Sequence, residues 1–135
     1  MSLIPKKVST LRRKQRKMLY TSTGDARIKH VSSQFSKDLR KEHGIKRAVL
    51  AVNDVVEITV GKFKGKTGKV VEINYEKMKA YVEDCTVNRS TGGTAQVPFD
   101  ASNFRIIELA MDEKRAELFK KELERINRVK ARFAA

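Results

Sequence analysis

Apolar residues fall at two distinct periods along this chain. Across Val55-Val56-Glu57-Ile58-Thr59-Val60, positions 56, 58 and 60 line one face and Glu57 and Thr59 the other, the alternation of a half-buried strand. Val70-Val71-Glu72-Ile73-Asn74-Tyr75 repeats it, with Val71, Ile73 and Tyr75 aligned. Shorter β candidates are Ala80–Glu83, Thr94–Val97 and Phe104–Leu109, set apart by turn-rich stretches at Gly61–Gly68, Asn74–Lys79, Asn88–Gly93 and Pro98–Ser102. Short strands packed this densely predict a small closed antiparallel barrel, because closure removes vulnerable edges.

Both ends read as helical. Asp112 is placed to cap a C-terminal helix, and Ala116, Phe119, Leu123, Ile126 and Phe133 trace an apolar stripe at three-, four- and seven-residue steps. Glu117–Lys121 and Glu124–Arg128 are favourable pairs on its exposed side. Near the N-terminus, Ser32-Ser33 opens a polar-capped stretch in which Phe35 and Leu39 fall four apart, and Gly44 can end it in a left-handed conformation. A short helix is expected over about residues 36–43. Residues 9–19 are a further helical candidate, expected to order on a partner because short isolated helices are marginal in water. The expected organisation is mainly β, with an extension over 1–50, a barrel over 51–110 and a helix over 111–135.

Charge divides the chain at the same places. Residues 1–50 hold fourteen Lys/Arg against three acids (Asp25, Asp38 and Glu42), whereas residues 51–110 hold eight of each sign. Most of the net charge of +14 therefore sits on the extension. A basic arm on a neutral domain is the electrostatic footprint of a polyanion binder, and nucleic acid is the expected partner. Residues 1–24 also have the look of a transit peptide, with Ser and Thr, no acid, and the cations Lys6, Lys7, Arg12, Arg13, Lys14, Arg16 and Lys17. The basic character runs on through Arg27, Lys29, Lys37, Arg40, Lys41, Lys46 and Arg47, which argues against a cleaved leader.

Other chemistries find little support. Cys85 is the single cysteine, so no intramolecular disulfide forms, and with only His30 and His43 beside it no structural zinc site is expected. Cys85 reads as a small packing residue, and the two histidines as RNA or solvent contacts. No apolar run approaches the roughly 20 residues that span a bilayer. No paired acids, His–nucleophile arrangement or metal cluster is present, so neither an enzyme nor a cofactor or small-molecule substrate is expected.

The sharpest local feature is Gly61-Lys62-Phe63-Lys64-Gly65-Lys66-Thr67-Gly68-Lys69. Its Gly65-Lys66-Thr67 ending imitates a nucleotide phosphate loop. The spacing from Gly61 to Gly65 is one residue short, however, and Val70–Ile73 is a β-branched strand where that loop needs a helix N-terminus. As a strand-joining loop it carries lysines for phosphates, glycines that permit close backbone approach, and an aromatic that either stacks on a base or packs under the loop.

Asp54-Val55-Val56-Glu57-Ile58-Thr59-Val60 followed by that loop resembles the KOW motif, a strand–glycine loop–strand unit of translation and transcription proteins. Three flanking blocks narrow the resemblance: Arg12-Arg13-Lys14-Gln15-Arg16-Lys17, Ser32-Ser33-Gln34-Phe35-Ser36-Lys37-Asp38-Leu39-Arg40-Lys41-Glu42-His43-Gly44, and Leu109-Ala110-Met111-Asp112-Glu113-Lys114-Arg115. In this order they resemble the eukaryotic and archaeal large-subunit ribosomal protein twenty-six family, counterpart of bacterial protein twenty-four. The chain departs from that pattern at Asn88–Gly93 and Pro98–Asn103, where the family usually has a long hairpin and its sequel.

The resemblance implies an SH3-like KOW barrel in a structural constituent of the cytosolic large ribosomal subunit. It implies binding to large-subunit rRNA near the peptide exit tunnel, neighbouring ribosomal proteins as partners, and a role in subunit assembly. Carried over by position, the RNA-facing residues are Arg12, Arg13, Lys14, Arg16, Lys17, Arg27 and Lys29, with Gly61, Lys62, Lys64, Gly65, Lys66, Gly68 and Lys69 from the loop. The alternative is an extraribosomal KOW-type RNA-binding or transcription elongation factor, which usually carries further domains. A peptide-binding SH3-like module would want an aromatic groove, and Phe63, Tyr75, Tyr81 and Phe99 are too scattered to make one.

Overall fold

A computed structural model describes residues 9–134; Lys6 and Lys7 of the basic run, and Ala135, lie outside them. Helices α1 (Arg12–Tyr20) and α2 (Gly24–His30) lead into strand β1 (Ser32–Phe35), helix α3 (Lys37–His43) and β2 (Arg47–Val49). Then come β3 (Val55–Ile58), β4 (Thr67–Asn74), β5 (Lys79–Val82), β6 (Thr86–Asn88), β7 (Thr94–Gln96) and β8 (Phe99–Asp100). A 3₁₀ turn over Ala101–Asn103 joins β8 to β9 (Phe104–Glu108), and α4 (Glu113–Ala134) ends the chain.

Seven strands form one mixed sheet in the order β2-β1-β9-β3-β4-β5-β8, and β6 and β7 make a separate hairpin. The sheet is not closed by its ladders, and β2 and β8 are its edges. One pair departs from the antiparallel expectation: β1 runs parallel to β9, with Gln34 opposite Arg105 and Phe35 opposite Ile106.

Strand β1 lies in the block expected to open a helix. Ser33 is fully buried and its hydroxyl donates to the Ala101 carbonyl, while Phe35 is 1% exposed in the core. The helix itself starts at Lys37, within a residue of its expected place, with Ser36 as the cap: its Oγ accepts from the Leu39 amide at 3.3 Å. Its end is as expected, with Gly44 at φ +66°.

The core joins residues from the arm, the middle and the tail. Val31, Phe35, Ile45 and Leu50 are buried together with Val56, Ile58, Val70, Val82, Phe104 and Ile106. Phe119, Leu123 and Ile126 of α4 pack against them. His43, expected at an RNA or solvent contact, instead packs edge-on to Phe35 and Phe119, with ring centroids 6.2 and 5.9 Å away. Phe133, the last member of the apolar stripe, is exposed. The Glu117–Lys121 pair is long at 4.0 Å, and Arg125 pairs instead with Glu122 at 2.6 Å.

A bulge rewrites the face of β4. Pairing with β5 shifts register between Val70 and Glu72, so alternation inverts there. Val70 enters the core, whereas Val71 and Tyr75, expected inward, are exposed. Gly68 is required on the same strand, since a Cβ there would meet Val82 Cγ1 at 2.8 Å and the Glu83 carbonyl at 3.3 Å.

Asp54 fastens α4 to this assembly. Its carboxylate is wholly buried and accepts from the amides of Ala51 and Ala110, both at 2.9 Å. Arg115 donates to both carboxylate oxygens, at 2.5 and 2.8 Å, and to the carbonyls of Ala110 and Val49. Its guanidinium also lies 5.7 Å from the Phe119 ring centre. The buried charges are therefore fully partnered, the condition under which such a pair is tolerated.

Candidate nucleic-acid interface

The arm carries its expected RNA-facing cations on two short helices that bury no residue. α1 reads Arg12-Arg13-Lys14-Gln15-Arg16-Lys17-Met18-Leu19-Tyr20, and all five of its expected RNA-binding cations are exposed. The helix ends where the Thr21 hydroxyl donates to the Lys17 carbonyl at 2.7 Å. α2 carries Arg27, Lys29 and His30 in its last turn, where cations complement the helix dipole. An open groove of about 730 Å³ is lined by Arg12, Arg13, Gln15, Arg16 and Tyr20 from α1 and by His30. Lys14 and Lys17 stand outside that lining.

Arg27 is half-buried, and its Nε is enclosed with no hydrogen-bond partner among the described residues. A buried donor left this way costs about 1–3 kcal/mol. Lys29 is exposed at the edge of a second groove floored by Ala48, Leu50 and Phe119.

The glycine loop between β3 and β4 is tightly bonded. The Ile58 amide donates to the Lys66 carbonyl at 2.9 Å, and the Gly65 amide donates to the Ile58 carbonyl at 2.8 Å. Within it, the Lys64 amide donates to the Gly61 carbonyl and the Lys66 amide to that of Phe63. Gly61 and Gly65 take φ of +94° and +83°, the left-handed region that a side chain disfavours. A second anchor holds Thr59, whose amide and hydroxyl both donate to the Asn103 carbonyl, at 2.8 and 2.9 Å.

This frame holds Lys62, Lys64, Lys66 and Lys69 exposed. Phe63 resolves to the packing alternative: it is half-buried, edge-on to Phe99 at 5.9 Å, and is counted among the side chains against the core. Lys66 covers it, with Nζ 5.6 Å from the ring centre and 3.3 Å from the Asp84 carbonyl. Of the loop lysines, Lys66 is thus already engaged, and Lys62 and Lys64 make no side-chain hydrogen bond or ion pair among the described residues.

Cys85 is 1% exposed beside this loop. Burial pushes its thiol above the ordinary range; Lys66 lowers it, and Asp84 adds to the rise. The protonated thiol is a packing group, as expected. Among the described residues, no group of three or more His, Cys, Asp or Glu could hold a metal ion. No helix there is long and apolar enough to cross a membrane.

The expected cations therefore form two clusters, one on α1 and α2 and one on the glycine loop, with no hydrogen bond or ion pair joining them among the described residues. Sequence reasoning missed Tyr20, whose ring lies beneath Arg16 at 5.7 Å and is 64% exposed. Its signal was available: it falls four residues after Arg16, one helical turn on. It also missed Arg115, which holds the helix in place without facing outward.

Residues 9–122 match the family described as the ribosomal proteins L26 of eukaryotes and their archaeal L24 counterparts. The chain is 39% identical over 102 residues to large ribosomal subunit protein uL24 of Pyrobaculum islandicum, spanning 76% of this chain and 83% of that protein. It is 33% identical over 104 residues to the protein of the same name from Haloarcula marismortui, spanning 77% and 87%.

Proposed function

From a chain that belongs to the family of eukaryotic L26 and archaeal L24 ribosomal proteins, we infer a structural, non-enzymatic constituent of the large ribosomal subunit that binds its rRNA. The observation that carries this reading is the family match across arm, sheet and the start of α4, residues 9–122. The charge distribution points the same way independently of the match.

In this reading the extension over 1–50 supplies electrostatic affinity, residues 51–110 supply shape, and the helix over 111–135 braces the two. Strands β3, β4, β5, β8 and β9 form an SH3-like KOW unit whose last step is made by chain continuity. Support comes from β3 pairing with both β4 and β9, and from the 3₁₀ turn that carries β8 directly into β9. Arg12, Arg13, Lys14, Arg16, Lys17, Arg27 and Lys29 meet rRNA phosphates, and Lys62, Lys64, Lys66 and Lys69 do so on the loop. Gly61, Gly65 and Gly68 keep the loop in a shape that fits one RNA fold. Neighbouring large-subunit proteins are further partners, and the site of action is the cytosolic subunit near the exit tunnel, with a role in assembly.

Sedimentation of a native lysate through a sucrose gradient tests this reading. The chain is expected to travel with the large subunit with magnesium present and after chelation, and to resist moderate salt. A chain left in the light fractions would favour an extraribosomal RNA-binding or elongation factor instead.

A further inference from the structure

We propose that the groove formed by α1 and His30 is a site for an unpaired RNA nucleotide, its base stacking on Tyr20 and its phosphates held by Arg12, Arg13 and Arg16. The proposal rests on the RNA-binding reading and sharpens it, separating base contact from phosphate contact within one arm.

Four observations converge on this groove. Its lining contains three arginines and a histidine but no acid, so its charge suits an anion. Its volume, about 730 Å³, lies within the roughly 300–1,000 Å³ of clefts that hold small ligands. Tyr20 is 64% exposed although most of its ring is apolar, and it serves no part of the core. The Arg16 guanidinium lies 5.7 Å from the ring centre, within cation–π range, so a cation and an exposed aromatic face stand side by side.

The division of cation types on α1 fits the same occupant. All three arginines line the groove, and both lysines stand outside it. A guanidinium is flat, weakly hydrated and able to stack or bind bidentately, whereas an ammonium acts as a hydrated point charge. The arginine side therefore suits a base with its adjoining phosphates, and the lysine side a phosphate backbone alone.

The base must be unpaired. In an A-form duplex the major groove is too deep and narrow for side chains to read, while unstacked bases are free to lie on aromatic rings. Such stacking tolerates any base, so the site selects strandedness and not sequence.

Binding of the full chain to an oligouridylate and to a blunt RNA duplex of equal phosphate number tests the proposal. Tyr20→Ala is expected to weaken single-strand binding by at least about five-fold, the lower end of one base–aromatic stack, with duplex binding unchanged. Tyr20→Phe should retain both. Irradiation of the unsubstituted chain on an iodouridine-bearing strand is expected to crosslink at Tyr20, a readout that depends on no variant folding.

Equal losses on strand and duplex, no loss on the strand, or a crosslink confined to Phe63 or Tyr75 would each overturn the site. An acidic peptide as the true occupant would give the second of these outcomes. A wild-type chain that binds neither RNA would overturn the RNA-binding reading as well, whereas one that binds both while Tyr20→Ala changes nothing overturns the groove alone.

Discussion

Asp54 is a wholly buried carboxylate with four hydrogen bonds, two of them from Arg115. It satisfies two amides and a guanidinium at once, so its removal strips both amides of their acceptor and leaves Arg115 with only two carbonyls and no counter-charge. Breaking one side of a buried pair costs about 3–5 kcal/mol, and Asp54→Ala should lower stability by that order in urea unfolding followed by circular dichroism. Arg115→Met should cost a similar amount, since it leaves the wholly buried carboxylate with two amide donors but no counter-charge. At Gly65 the question is conformation, not space: φ is +83° and nothing lies within 4 Å of a Cβ built there. A left-handed backbone costs an ordinary residue roughly 1–2 kcal/mol, and a β-branched one has least tolerance for it. Gly65→Val should deform the loop and reduce binding to cognate rRNA more than to random RNA, as filter binding to the two would report. Parallel losses would mean that the loop contributes charge without shape.

At the scale of elements, α4 is two helices in function. The stretch from Glu113 to Ile126 carries Phe119, Leu123 and Ile126 onto the core, and Gly44 comes so close that a Cβ would meet Leu123 Cδ2 at 3.1 Å. Its last turns bury nothing among residues 127–133. A chain ending at Asn127 should therefore unfold at the same urea concentration as the full chain. One ending at Asp112 should lose several kcal/mol, because large apolar side chains leave the core at about 1.5–3 kcal/mol each and Asp54 loses Arg115. The elements also divide by how far they could be read. α4 and the glycine loop were legible because their signals are local: an apolar stripe, a capping Asp112, glycines between alternating strands. β3, β5, β7 and β9 fell within a residue or two of their expected places for the same reason. β1 was not legible, since Ser33 is a strand residue through its pairing with Ala48 of β2 and Phe35 through Ile106 of β9, far along the chain. The bulge after Val70 was equally hidden, because Val70 and Val71 are chemically identical and only the partner strand decides which turns inward. Of the candidate interface, the cations were readable from charge alone, but which of them share a groove depends on how α1 and α2 fold.

For the whole molecule, the separation of a charged arm from a bonded loop predicts two separable contributions to affinity. Each phosphate neutralised adds roughly 0.7–0.9 to the slope of log affinity against log salt. Deleting residues 1–24 removes seven cations and should flatten that slope while shifting cognate and random RNA alike, since phosphate contacts and a stacked base both tolerate any sequence. Titrating salt against both RNAs measures this, and a selective loss on cognate RNA would sink it. The place of β9 has a different consequence, in time. It lies between β1 and β3, so the two halves of the sheet stay unjoined until residues 104–108 have been synthesised. Every chain broken off earlier lacks its keystone and leaves two unpaired strand edges exposed. Such fragments are expected to be cut faster in limited proteolysis than the finished chain, so the order of the strands itself separates finished from unfinished copies.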